Sequence, residues 1–119
     1  MQLRAKRVYL AADPEDGKRI LVDRLWPRGL SKERLGDVAW VKEVAPSDAL
    51  RKWFGHEPAK WDGFRKRYFA ELDANPDGVA ALRGALAPTG RTTLLFGARE
   101  EEHNNAVALC EYLRAHRKR

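Results

Sequence analysis

Apolar residues recur along this chain with two periods, and the change from one to the other marks out the elements. Residues 6–10 alternate as a first strand at a sheet edge, with Val8 and Leu10 on its apolar side. Asp13-Pro14-Glu15-Asp16-Gly17 reads as a turn, because proline presets one dihedral angle and glycine admits a positive one. Residues 19–23 form a second strand whose unbroken centre, Ile20-Leu21-Val22, calls for cover on both faces. Ser31 caps a short helix over residues 32–35, its hydroxyl taking an otherwise unpaired amide. Residues 38–44 alternate again as a third strand, which Pro46 stops.

The helical period then takes over. Ser47 caps a helix with Leu50, Trp53 and Phe54 on its apolar face, ending at Gly55. Pro58 opens a long helix to about Ala74, striped by Trp61, Phe64, Tyr68 and Leu72. Asn75-Pro76 closes it and starts another, with Val79, Leu82 and Leu86 inward. After Pro88-Thr89-Gly90, residues 91–96 are a final strand. Asn104 or Asn105 caps a last helix whose inner face is Ala106, Leu109, Cys110 and Leu113.

Strands separated by helices predict an α/β sandwich, with a mostly parallel sheet of about four strands and helices packed around it. No repeat or linker divides the chain, so a single domain over residues 1–119 is expected, with a basic tail at 114–119. Ligands of such sheets sit outside the carboxyl ends of the strands. Residues 23–29, 42–47 and 97–105 would meet there, and each is polar for its position.

Composition narrows the classes. A chain of 119 residues can bury roughly two-thirds of its unfolded surface and needs no disulfide or metal to fold. One cysteine excludes an internal disulfide and any multi-cysteine zinc site. The first residues lead into no apolar core of a secretory signal, and no apolar run is long enough to span a membrane. A soluble, cytoplasmic protein without a membrane partner is therefore expected. The net charge of +6 favours anionic partners, although part of the excess sits at the two ends, where it is commonly solvated.

Four stretches also carry a resemblance. They are Leu21-Val22-Asp23-Arg24-Leu25-Trp26-Pro27-Arg28-Gly29-Leu30, Trp40-Val41-Lys42-Glu43-Val44-Ala45-Pro46-Ser47, Leu50-Arg51-Lys52-Trp53-Phe54-Gly55-His56 and Glu101-Glu102-His103-Asn104-Asn105-Ala106. In this order, over residues 6–113, the chain resembles the YeaO-like branch of the domain-of-unknown-function family 488. The resemblance implies a small bacterial α/β domain and no established activity. Many members of the wider family carry a cysteine at the end of the last strand and a Cys-His-Arg triplet just beyond. Here the strand ends Leu95-Phe96-Gly97 and the later stretch reads Glu102-His103-Asn104, so thiol chemistry does not carry over. Cys110 is no substitute, because it lies on the apolar stripe of the last helix.

The candidate chemistry is an anion pocket. Arg24, Arg28, Lys42 and Arg51 can surround a carboxylate or phosphate, with Trp26 as a wall and His56, Asn104 and Asn105 as further ligand contacts. The plainer reading pairs Arg24 and Arg28 with Asp23 and Glu43 to pin the loops. If there is acid–base chemistry, His103 is the preferred group and Glu43 or Asp23 its partner, because only histidine titrates near neutrality without perturbation. The plainer alternatives are His103 as a helix cap and His56 as a turn residue. His56, His103, Asp23 and Glu101 or Glu102 match a metal site in kind but in no recognised spacing, so neither a metal nor a cofactor is expected. The rival to a pocket is a nucleic-acid or regulatory module built on Lys60, Arg65, Lys66, Arg67 and the termini. No glycine-rich phosphate loop or nucleophile elbow is present.

Overall fold

The sheet assembles on β4 (Arg91–Phe96), whose residues from Thr92 onward are buried. The computed structural model describes residues 2–116. β4 lies between β1 (Gln2–Arg7) and β2 (Lys18–Leu21), and β3 (Ala39–Trp40) pairs with β2. The order is β1-β4-β2-β3, and all three pairings are parallel. Each strand must therefore be reached by a crossover, which separates the strands in sequence. Ile20, Leu21 and Val22 are fully buried, as an internal parallel strand requires.

Successive strand side chains point to opposite faces, and here the two faces are covered unequally. Leu3, Ile20, Leu94 and Phe96 pack against α2 (Asp48–Phe54), α3 (Trp61–Asp73), α4 (Pro76–Ala85) and α5 (Asn105–Ala115). Val8, Leu21 and Leu95 face a thinner layer made by Leu35 of α1 (Lys32–Leu35) with Trp26, Leu30 and Val38. Ser31, Ser47, Asn75 and Asn104 cap α1, α2, α4 and α5 with their side chains, each accepting an amide hydrogen. Among the described residues no helix is long and apolar enough to cross a membrane.

The thinner face also holds a buried carboxylate. A single 3₁₀ turn, Pro14–Asp16, tucks Asp16 under the sheet at zero exposure. Lys6 Nζ lies 2.9 and 3.0 Å from its two oxygens, Arg4 bonds to it, and Arg19 Nε stands 3.6 Å away. Gly17, with φ of 64°, returns the chain to β2, where a Cβ would come within 2.1 Å of the Arg91 carbonyl oxygen. Only glycine satisfies both demands.

Two expected strands are corrected. The first runs over Gln2–Arg7, because Gln2 pairs with Arg91 and brings Leu3 and Ala5 over the helices. Tyr9 and Leu10 leave the sheet and are exposed. The third is cut to Ala39–Trp40, and Lys42–Val44 forms a 3₁₀ turn. Backbone carbonyls at Glu43 and Val44 find partners in Asn75 Nδ2 and the Tyr68 hydroxyl, so no ladder is needed to satisfy them. The long helix expected from Pro58 starts as a 3₁₀ turn over Pro58–Lys60 before α3.

Candidate functional site

A cleft of about 330 Å³ opens at the carboxyl ends of β2 and β4. Asp23 and Arg24 follow β2, Ala98 follows β4, and Asn104 and Asn105 begin α5. Arg51, Lys52, Phe54 and His56 enter from α2 and its end, Phe64 from α3, and Ala45 and Pro46 from the loop before α2. The three polar segments named from sequence thus contribute to one cavity.

Asp23 is held there by both carboxylate oxygens. Its Oδ2 accepts the Gly97 amide at 2.8 Å, and its Oδ1 accepts Asn105 Nδ2 at 3.0 Å. A Cβ at Gly97 would stand 3.1 Å from Oδ2, so glycine allows the carboxylate its close approach. Burial pushes the carboxyl above its ordinary value, against the pull of Asn105, the Gly97 amide and the charge of Arg51. Three cationic side chains, Arg24, Arg51 and Lys52, share the lining with this one carboxylate. Arg51 also bonds to Asp48 at 2.9 Å, and Arg24 reaches the Ala45 carbonyl at 3.4 Å.

The Ala45-Pro46 wall is held from behind. Glu71 accepts the Ser47 amide at 2.9 Å and the Ser47 hydroxyl at 2.6 Å, while Tyr68 and Asn75 hold the carbonyls just before. Phe54 and Phe64 stack with ring centroids 4.4 Å apart and form the apolar floor. His56 stands at the rim in left-handed backbone, φ 57°, rare for a residue other than glycine.

Of the candidate residues, Asp23, Arg24, Arg51, His56, Asn104 and Asn105 line the cleft. Five others do not. Trp26 packs in the thin layer, edge-on to Trp40 at 5.4 Å, with its indole nitrogen donating to the Leu30 carbonyl at 2.5 Å. Arg28 is exposed, and its carbonyl accepts the Tyr9 hydroxyl at 2.9 Å. Lys42 lies over Trp40, 5.1 Å from the ring centroid. Glu43 is exposed on its turn. His103 has neither expected partner, because its Nδ1 lies 3.0 Å from Glu100 Oε1 and its ring packs 5.0 Å from Trp61.

The expected ion pairs are corrected as well: among the described residues Arg24 and Arg28 pair with neither Asp23 nor Glu43, and Asp23 is held by neutral donors. No group of three His, Cys, Asp or Glu side chains among the described residues converges on a metal site. Cys110 is buried in α5, which pushes its thiol up to about 11. Of the basic tail, Arg114 donates to the Leu3 carbonyl at 2.5 Å, while residues 117–119 lie outside the described residues. Lys52 was not a candidate in sequence, although it neighbours Arg51. Phe54 and Phe64 carried no separable signal, because an aromatic at helical spacing reads as core, and both are also core.

Comparison with known proteins places the whole chain. The model of the inactive DUF488-N3 subclade matches residues 2–119. The uncharacterized protein YeaO of Escherichia coli is 42% identical over 115 residues, covering 97% of this chain and 99% of that protein. The uncharacterized proteins Mb3100c of Mycobacterium bovis and Rv3073c of Mycobacterium tuberculosis are each 40% identical over 114 residues, covering 94% of this chain and 93% of theirs. No solved structure matches. With a family match over nearly its full length and relatives that match end to end, the chain belongs to the inactive DUF488-N3 subclade of the DUF488 family.

Proposed function

We propose that this chain binds a small carboxylate- or phosphate-bearing ligand in the cleft and performs no chemistry on it. The observation that carries the reading is the charge of the lining, with Arg24, Arg51 and Lys52 set against Asp23 alone over an apolar floor. Cations on two separate elements can both reach one anionic group, and charge-assisted hydrogen bonds are stronger than neutral ones. Three further observations support binding over catalysis. His103 is engaged with Glu100 and does not line the cleft, and the one thiol is buried. The matching subclade is itself described as inactive.

The cations of α3 favour a nucleic-acid module less. Arg65 bonds to Glu111 and Asp62, and Arg67 stacks on Trp53 at 3.7 Å from the ring centroid.

A thermal-shift screen of carboxylates and phosphates against the full chain tests the reading. A ligand at a hundred times its Kd stabilises the native state by about 2.7 kcal/mol. That shift should disappear in Arg51→Ala and Arg24→Ala and persist in Arg28→Ala, whose side chain lies outside the lining. A hit that survives the double Arg24→Ala, Arg51→Ala variant would place the ligand elsewhere. A screen without any hit, on folded protein, would end the proposal.

A further inference from the structure

A ligand that is purely anionic satisfies the cleft's cations and leaves Asp23 facing a like charge. Among the described residues that carboxylate forms no ion pair, since its hydrogen bonds come from the Gly97 amide and the Asn105 side-chain amide and only the more distant charge of Arg51 reaches it. Those two bonds occupy one position on each oxygen and hold the carboxylate plane still. An ionised carboxylate offers about four acceptor positions, so each oxygen can take one more donor from the cleft. A donor that also carried positive charge would add a direct ion pair to these two neutral bonds. The apolar side of the same cavity, Phe54, Phe64 and Pro46, suits a short hydrocarbon or aromatic group.

We propose that the cleft takes a free α-amino acid with an apolar side chain, its ammonium group on Asp23, its carboxylate between Arg24 and Arg51, and its side chain on the Phe54–Phe64 floor. This rests on the anion-binding reading above and adds to it a second, opposite charge in the ligand. The volume of about 330 Å³ lies at the small end of ligand cavities, which suits one amino acid better than a nucleotide or a peptide. The raised pKa of Asp23 is consistent, because burial there disfavours the charge and a bound ammonium would favour it.

Titration calorimetry of the full chain at pH 7 tests this with L-leucine, L-methionine and L-phenylalanine. Each is paired with an analogue lacking the amine, such as 4-methylpentanoate or 3-phenylpropanoate, and leucinamide serves as the analogue lacking the carboxylate. At least one amino acid should bind about tenfold or more tightly than its amine-free analogue, the scale of one charged hydrogen bond. Leucinamide should bind more weakly than leucine, and Asp23→Asn should erase the preference for the amine. The wild-type comparison stands by itself should Asp23→Asn fold poorly. Amine-free acids that bind as well as the amino acids would overturn this inference and leave the anion reading intact. Binding by neither set, where phosphates do bind, would overturn it equally, and silence from every anion would remove both.

Discussion

Asp16 and Asp23 are both acids next to strand ends, yet their surroundings drive them in opposite directions. Burial raises the Asp16 carboxyl, but hydrogen bonds from Lys6, the Asp13 amide and Arg4 outweigh it and leave the group below its ordinary value. Its contribution to stability is therefore present above the unfolded value of about 3.8 and lost as pH falls through the lower folded one. Asp23 is raised, so the native state holds that proton more tightly than the unfolded chain. Its effect has the reverse sign, becoming more favourable as pH falls from the folded value toward 3.8. Urea midpoints measured from pH 7 down to pH 3 should fall less steeply in Asp16→Asn than in wild type, and more steeply in Asp23→Asn. At pH 7, Asp16→Asn should cost about 1–3 kcal/mol, because it breaks the pairs of a buried carboxylate with the part-buried Lys6, Arg19 and Arg4. Asp48→Asn, which breaks an exposed pair with Arg51, should cost less than about 1 kcal/mol. Equal losses would show that the Asp16 cluster is not buried as described.

At the scale of elements, the segment before α2 shows how a strand pattern becomes a turn. Residues 38–44 alternate apolar and polar, which is all that strand periodicity asks, and Pro46 stops them where expected. What the pattern lacks is any sign that Tyr68, Glu71 and Asn75, all on the α3–α4 side, will take its polar groups instead. Glu71→Ala should therefore cost about 1 kcal/mol in urea unfolding, the scale of losing hydrogen bonds from the part-buried Ser47. It should also speed hydrogen exchange at Ser47, whose amide it bonds. No change in exchange there would mean that the wall stands without Glu71. Capping was more legible, since a cap needs only the residue and the helix it precedes. Ser31, Ser47 and Asn75 cap where the sequence places them, and Asn104 takes the role left open between two asparagines. Asn104→Ala should lower stability by about 1 kcal/mol or more, as its Oδ1 accepts the Val107 amide and its Nδ2 donates to the Glu100 carbonyl.

For the whole molecule, the unequal cover of the sheet is the main consequence of the topology. Four helices lie on one face, and a short helix, loops and a buried charge cluster lie on the other. If the chain is a single domain, both layers depend on the same sheet and should be lost together. The four tryptophans divide between the layers, with Trp26 and Trp40 on the thin side and Trp53 and Trp61 among the helices. Unfolding followed by tryptophan fluorescence and by far-ultraviolet circular dichroism should give coincident transitions. Transitions that fail to coincide would mark the two layers as separate cooperative units.

The sequence by itself determined the family, the alternation of strands and helices, their caps, and the sheet edge where polar segments would gather. Those are local or periodic properties, carried by neighbours in the chain. The tertiary structure alone decided which charges meet. It drew Asp23, Arg24, Arg51 and Lys52 around one cleft and left Arg28, Lys42, Glu43 and His103 outside it. It also buried Asp16, a residue that reads as ordinary turn chemistry, under three cations from two strands. Where a charged side chain comes to rest depends on partners far along the chain, as Asn105 for Asp23 and Glu100 for His103, and on the direction each backbone takes as it leaves the sheet. Periodicity carries no information about either.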